Sequence, residues 1–262
     1  MHIPLWTLLP ALAAGLAYCV PALTARYLTP DQIRQSLHAA WGLHVLTLVA
    51  SLFAPPVRFG FAPALSVTAW LMLTMYLIEQ RLYPRLRAAG LLSGMGGLAV
   101  LLSIVFPGTP LGSQHSAWLP LHLALGVASY GMFAAAVVHA GLMTRAERRI
   151  RSASGEGTGV PLLTLERIMF RCVGAGFVLL SATLLVGVLF SEALYGRPWY
   201  PDHKTVFSLL AWVVFAVLLL GRARFGWRGR NATRMVYAGA VMLLLGYAGS
   251  RFVLEVLLER GA

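Results

Sequence analysis

The sequence predicts an all-α fold: a polytopic transmembrane helical bundle of about eight spans, forming one integral membrane domain over residues 1–262. Three observations predict it. Hydrophobic residues make up 58% of the chain and charged residues only 11%, with a mean hydropathy of +0.74, whereas a soluble domain carries about a quarter of its residues as Asp, Glu, Lys or Arg. Apolar runs recur at lengths close to the roughly 20 residues that one bilayer crossing needs. No connection between them is long enough for a soluble domain; the longest, about 145–165, is charged and rich in Gly and Ser.

Taken in order, the spans are expected near 3–24, 37–54, 62–79, 89–106, 118–142, 169–190, 204–221 and 232–250. The first has no basic n-region and an apolar run too long for an h-region, which argues against a cleaved signal peptide. In the fourth, Gly94-Met95-Gly96-Gly97 suggests close helix packing; it follows no strand and opens no phosphate loop. The last span continues as SRFVLEVLLER, where Arg251 and Glu255 stand at i,i+4 spacing. Trp6, Trp41, Trp70, Trp118 and Trp199 fall near the expected span ends and read as an aromatic belt.

Charge predicts orientation. With the N-terminus outside, the first, third, fifth and seventh connections hold two, three, six and five basic residues, so 16 of the 21 Lys and Arg share one side. The other side holds Arg58, Arg197, Lys204, Arg251 and Arg260. The positive-inside rule makes the rich side cytoplasmic and both termini periplasmic. The net charge of +12 then needs no nucleic acid, because arginines at span ends meet anionic lipid.

The chain has two cysteines, Cys19 and Cys172, and no CxxC or CxxCH. It can neither cycle a vicinal disulfide nor covalently carry a c-type haem, and both cysteines read as packing residues. The motifs HExxH and GxSxG are also missing, which removes the commonest intramembrane hydrolase readings.

Of seven histidines, His2, His38, His115 and His139 fall in loops or near span ends, where interfacial roles are the default. His44 lies about two turns into span two, deep enough that an ionisable side chain is a functional candidate. His122 and His203 open spans five and seven at one depth. Such a pair of neutral imidazoles can supply both axial ligands of a non-covalent, b-type haem, with Lys204, Arg251 and Arg58 on the same side to meet its propionates. Gly126, Ser129 and Tyr130 continue the His122 face and leave room for a flat ligand. Spacing alone favours the plainer alternative, in which each histidine bonds a carbonyl or water at the interface. His139 stands 17 residues beyond His122, which puts it on another face of the helix.

The segments PLLTLERIMFRCVGAGFVLLSATLLVGVLF, HKTVFSLLAWVVFAVLLLGRARFGWRGR and YAGSRFVLEVL resemble the cytochrome c assembly integral membrane proteins. This haem-handling family includes the CcsA and CcmC branches. The resemblance covers about 37–255, with GWRGR its most specific motif, and is closest to short eight-span bacterial members related to the HemX group. It implies that His122 is the outer-face haem ligand and that His44 is the family's histidine within an early span. PWYPDHKTV matches the end of the family's tryptophan-rich motif at Trp199, Asp202 and Lys204, with His203 beside them, and lacks that motif's second tryptophan and its proline. Leu220 stands where longer members carry a histidine.

The expected function is therefore haem handling of the cytochrome c biogenesis type in a bacterial inner membrane, by coordination and positioning, not catalytic turnover. His122 and His203 would ligate the iron, with Lys204, Arg251 and His44 as further cofactor-binding candidates. The expected partners are haem, the lipid bilayer and other cytochrome c maturation membrane proteins. The alternative is a membrane scaffold or regulator that holds no haem.

Overall fold

A computed structural model of the chain describes residues 4–24, 26–83, 88–110, 118–152, 160–192 and 202–253. Eight helices account for nearly all of it: α1 (Leu5–Thr24), α2 (Pro30–Phe53), α3 (Phe61–Leu82), α4 (Ala89–Val105), α5 (Trp118–Arg151), α6 (Leu162–Leu189), α7 (His203–Phe225) and α8 (Gly229–Leu244). The last runs on through a π-helical turn, Leu245–Gly249, and a final α-helical turn, Ser250–Phe252. Among the described residues seven helices are long and apolar enough to cross a membrane, and α4 is a shorter apolar helix of 17 residues. At 1.5 Å per residue α4 is about 25 Å long, near the lower limit for a crossing.

The surface agrees with a lipid solvent. Leu5, Leu16, Val178 and Leu189 are each about two-thirds exposed or more, and a soluble monomer does not leave such apolar faces to water. The chain is a polytopic helical membrane protein, as its composition predicts.

Helix boundaries differ from the sequence expectation in a consistent direction. Helix α2 starts at Pro30, where Thr29 and Gln32 form a reciprocal capping box, instead of at 37. Helix α5 continues to Arg151 and α6 begins at Leu162. Arg145, Arg148 and Arg149 therefore stand on a helix that is about 51 Å long and outruns the hydrocarbon layer, while Arg167 and Arg171 belong to α6 and not to a loop. Hydropathy marks only the part of a helix that lipid covers; helices extend past it wherever caps and polar turns allow.

The described residues form two compact units. The first holds α1, α2, most of α3, α4 and residues 251–253. Here Tyr18 of α1 lies over Gly96 and Gly97 of α4, where an added Cβ would stand 2.7 and 3.1 Å from its atoms. The close approach expected of the glycine run is thus realised. Trp41 and Trp70 stack with centroids 5.8 Å apart, and Trp41 donates its indole N–H to Thr74 Oγ1 at 2.8 Å. These two tryptophans lie mid-helix and tie α2 to α3 instead of marking an aromatic belt. A two-residue antiparallel bridge, β1 (Arg58–Phe59) with β2 (Thr109–Pro110), joins the loops after α2 and α4.

The second unit holds α5 to α8, the π-helical turn and Glu79 to Tyr83 at the end of α3. Its core is built from aromatic rings seated on glycines. Phe133 and Phe215 stack at 3.9 Å, Phe133 over Gly176 and Phe215 over Gly239. The GWRGR hairpin closes α7: Gly226 takes the left-handed conformation that only glycine adopts freely (φ 65°). Trp227 then folds back over Gly221. Arg222 pairs with the buried Glu166 of α6 at 2.6 Å, and its guanidinium lies 4.7 Å over Phe170. The arginine hairpin thus locks α6 to α7 as well as carrying positive charge.

Candidate functional site

The expected site residues fall at three places. His122 stands on the second turn of α5, half-buried and turned onto α6. Gly187 leaves it a seat: a Cβ there would come within 3.2 Å of the ring's Cε1. The Thr183 carbonyl, one turn earlier on α6, is close enough to interact with the ring. Packing against a fixed backbone carbonyl is how ligand histidines are commonly oriented. The room beside Gly126 is used differently from the sequence expectation. It takes the Thr183 methyl group, 3.6 Å from where a Cβ would be, so it serves the α5–α6 contact and not a flat ligand. Tyr130 donates its hydroxyl to the Leu243 carbonyl at 3.0 Å and ties α5 to α8.

His203 is the first residue of α7 and is exposed; Lys204 beside it is half-buried. Asp202 caps this helix. Its Oδ1 accepts from the Thr205 backbone N–H and from the Thr205 hydroxyl, both at 2.9 Å. Partial burial pushes the Asp202 pKa up, but the two Thr205 hydrogen bonds and the neighbouring Lys204 and His203 outweigh it and hold the carboxyl below its ordinary value. Asp202 therefore keeps its charge and fixes the start of α7, which presents His203. Both histidines belong to the second unit. Trp199 lies outside the described residues.

His44 sits in the core of the first unit, fully buried, with both ring nitrogens engaged: Nδ1 with the Tyr18 hydroxyl at 2.9 Å and Nε2 with Ser66 Oγ at 2.8 Å. That is the geometry of a satisfied core histidine joining α1, α2 and α3. Arg251 has its backbone in the final helical turn of the first unit, and its side chain lies outside the description, as does Glu255.

One constellation escapes the sequence reading. His139 of α5 is buried, not interfacial, and its Nε2 lies 2.9 Å from Oε2 of the buried Glu79, with Cys172 of α6 alongside. The available signal was Glu79 itself, a lone carboxylate at the end of an apolar span (MYLIEQ), since an ionisable residue at that depth marks a site by default.

Comparison with known proteins agrees with this architecture. "Uncharacterized 28.8 kDa protein in nifR3-like 5'region" of Azospirillum brasilense is 37% identical over 152 residues, 56% of this chain and 55% of that protein. Inner membrane protein YpjD of Escherichia coli K12 is 41% identical over 97 residues, 37% of this chain and 36% of its own. Cytochrome c biogenesis protein CcsA of Gloeobacter violaceus is 31% identical over 98 residues, 37% of this chain and 29% of its own. The chain thus spans about half the length of these relatives or less. No solved structure matches. The family model described as cytochrome C assembly protein matches residues 32–258, and over that length, which is most of the chain, the protein belongs to the cytochrome c assembly family.

Proposed function

We propose that this protein handles haem at the outer face of a bacterial inner membrane in support of cytochrome c assembly, with His122 and His203 as the iron ligands and Lys204 as the cation for a propionate. Haem here is cargo, bound without a covalent link and passed on. The observation that carries the reading is the seat of His122, where Gly187 of α6 leaves room for the imidazole at the start of α5, in a chain of this family. Apolar helix faces supply the cover a porphyrin ring needs. His203 is accessible at the head of α7, and the Asp202 cap fixes its position. The donor set of two imidazoles with a nearby cation suits haem. Maturation proteins of the same membrane are the partners that would supply or receive it.

Absorption spectroscopy of the purified protein supplied with haem tests the proposal. A Soret band should form, weaken in His122→Ala and in His203→Ala, and vanish in the double variant. Gly174→Ala, at a position with nothing within 4 Å of the added Cβ, should leave it unchanged. A double variant that retains the full band removes these two histidines from the role.

A further inference from the structure

We propose that Glu79, His139 and Cys172 form a binding site for one divalent transition-metal ion of the zinc class, separate from any haem site. His139 Nδ1 lies 2.8 Å from the Ala135 carbonyl, and a carbonyl can only accept, so Nδ1 is the donor and Nε2 is the ring atom left to take a ligand. Nε2 faces Glu79 Oε2 at 2.9 Å. Among the described residues no further group bonds Nε2 or either Glu79 oxygen, although all three atoms are buried. The two side chains are only 3% and 5% exposed. Buried ligand atoms with no further partner are costly in an apolar interior, and a bound cation would engage all three.

Cys172 decides which cation. It is buried, and its sulfur, the imidazole nitrogen and a carboxylate oxygen all lie within 4.8 Å of one another. A tetrahedral ion with bonds of roughly 2.0–2.3 Å holds its ligand atoms about 3.3–3.8 Å apart. The observed separations bracket that range, so small side-chain rotations close the site. Nitrogen and sulfur donors exclude magnesium and calcium, which take oxygen, and select zinc-like ions. Binding releases the Cys172 thiol proton to solvent, after which one carboxylate, one thiolate and a divalent ion sum to zero, the least costly state for a buried centre. The His139 N–H bound to a backbone carbonyl is the usual outer partner of a metal-bound histidine. Three protein ligands leave a fourth position open. Along α5 the site stands 17 residues from His122, about 25 Å by helical rise, so it does not depend on the haem proposal.

Cobalt(II) is the probe, because thiolate ligation gives it an intense charge-transfer band. Protein purified in detergent and stripped with chelator should take up one cobalt per chain with that band, and zinc should displace it. Cys172→Ser should abolish the band while Cys19→Ser, at the exposed cysteine, retains it. Glu79→Gln and His139→Ala should each weaken cobalt binding by at least tenfold. Metal should also raise the thermal midpoint of the wild type, a readout that needs no variant to fold. Wild-type protein that takes up no stoichiometric cobalt overturns the proposal. A band that survives in Cys172→Ser overturns it too. Haem loading is read separately in the Soret region, so either site can fail alone.

Discussion

Arg222 carries two tasks at once, and the second is invisible in the sequence. As one of several arginines after an apolar span it anchors α7 at the membrane boundary; in the structure it also neutralises Glu166, whose side chain is only 7% exposed. Arg222→Leu should therefore destabilise the protein by about 1–3 kcal/mol in detergent unfolding. Glu166→Leu added to it should recover most of that loss, since removing both partners leaves no buried lone charge. At the other end of α7, Asp202→Ala should cost about 1 kcal/mol through the lost cap. The sign with pH follows from the lowered pKa of Asp202. A depressed carboxyl stabilises the fold above its ordinary value of 3.8 and loses that contribution as pH falls through the folded value. The stability gap between wild type and Asp202→Ala should thus be present near neutral pH and close on acidification below that range. A gap that persists in acid contradicts the charged-cap account.

Between helices, the recurring device is a large ring over a glycine. Gly96 is the clearest case, because an added Cβ would stand 2.7 Å from the Tyr18 ring, whose hydroxyl holds His44. Gly96→Ala should cost about 1–3 kcal/mol by overpacking, whereas Gly94→Ala, which meets nothing within 4 Å, should be neutral or stabilising by helix propensity. Equal thermal midpoints for the two would contradict the ring-on-glycine account. Much of this level was legible in the chain. Every expected span corresponds to a helix, because lipid-covered segments must be apolar, and the GMGG run announced close packing. What could not be read was pairing across helices. Trp41 looked interfacial because hydropathy hid the first seven residues of α2, and His139 looked interfacial because Glu79 and Cys172 approach it only in three dimensions.

For the whole molecule, orientation and function are the open proposals. The arginine asymmetry predicts that residues 153–159 face the cytoplasm and 193–201 the periplasm. A cysteine introduced at 156 in a Cys-free background should react with a membrane-impermeant maleimide only after permeabilisation, and one at 196 should react in intact cells; the reverse pattern would invert the topology. The family was legible from GWRGR and the span patterns of the second half, which the match over 32–258 bears out. The haem ligands were legible only as candidates, since one sequence does not say which histidines share a space. The most direct measurement is the haem content of the purified protein, read by pyridine haemochrome for wild type and for His122→Ala/His203→Ala after both are supplied with haem. The account predicts stoichiometric haem in the wild type and almost none in the double variant; equal haem in both, or none in either, would contradict it.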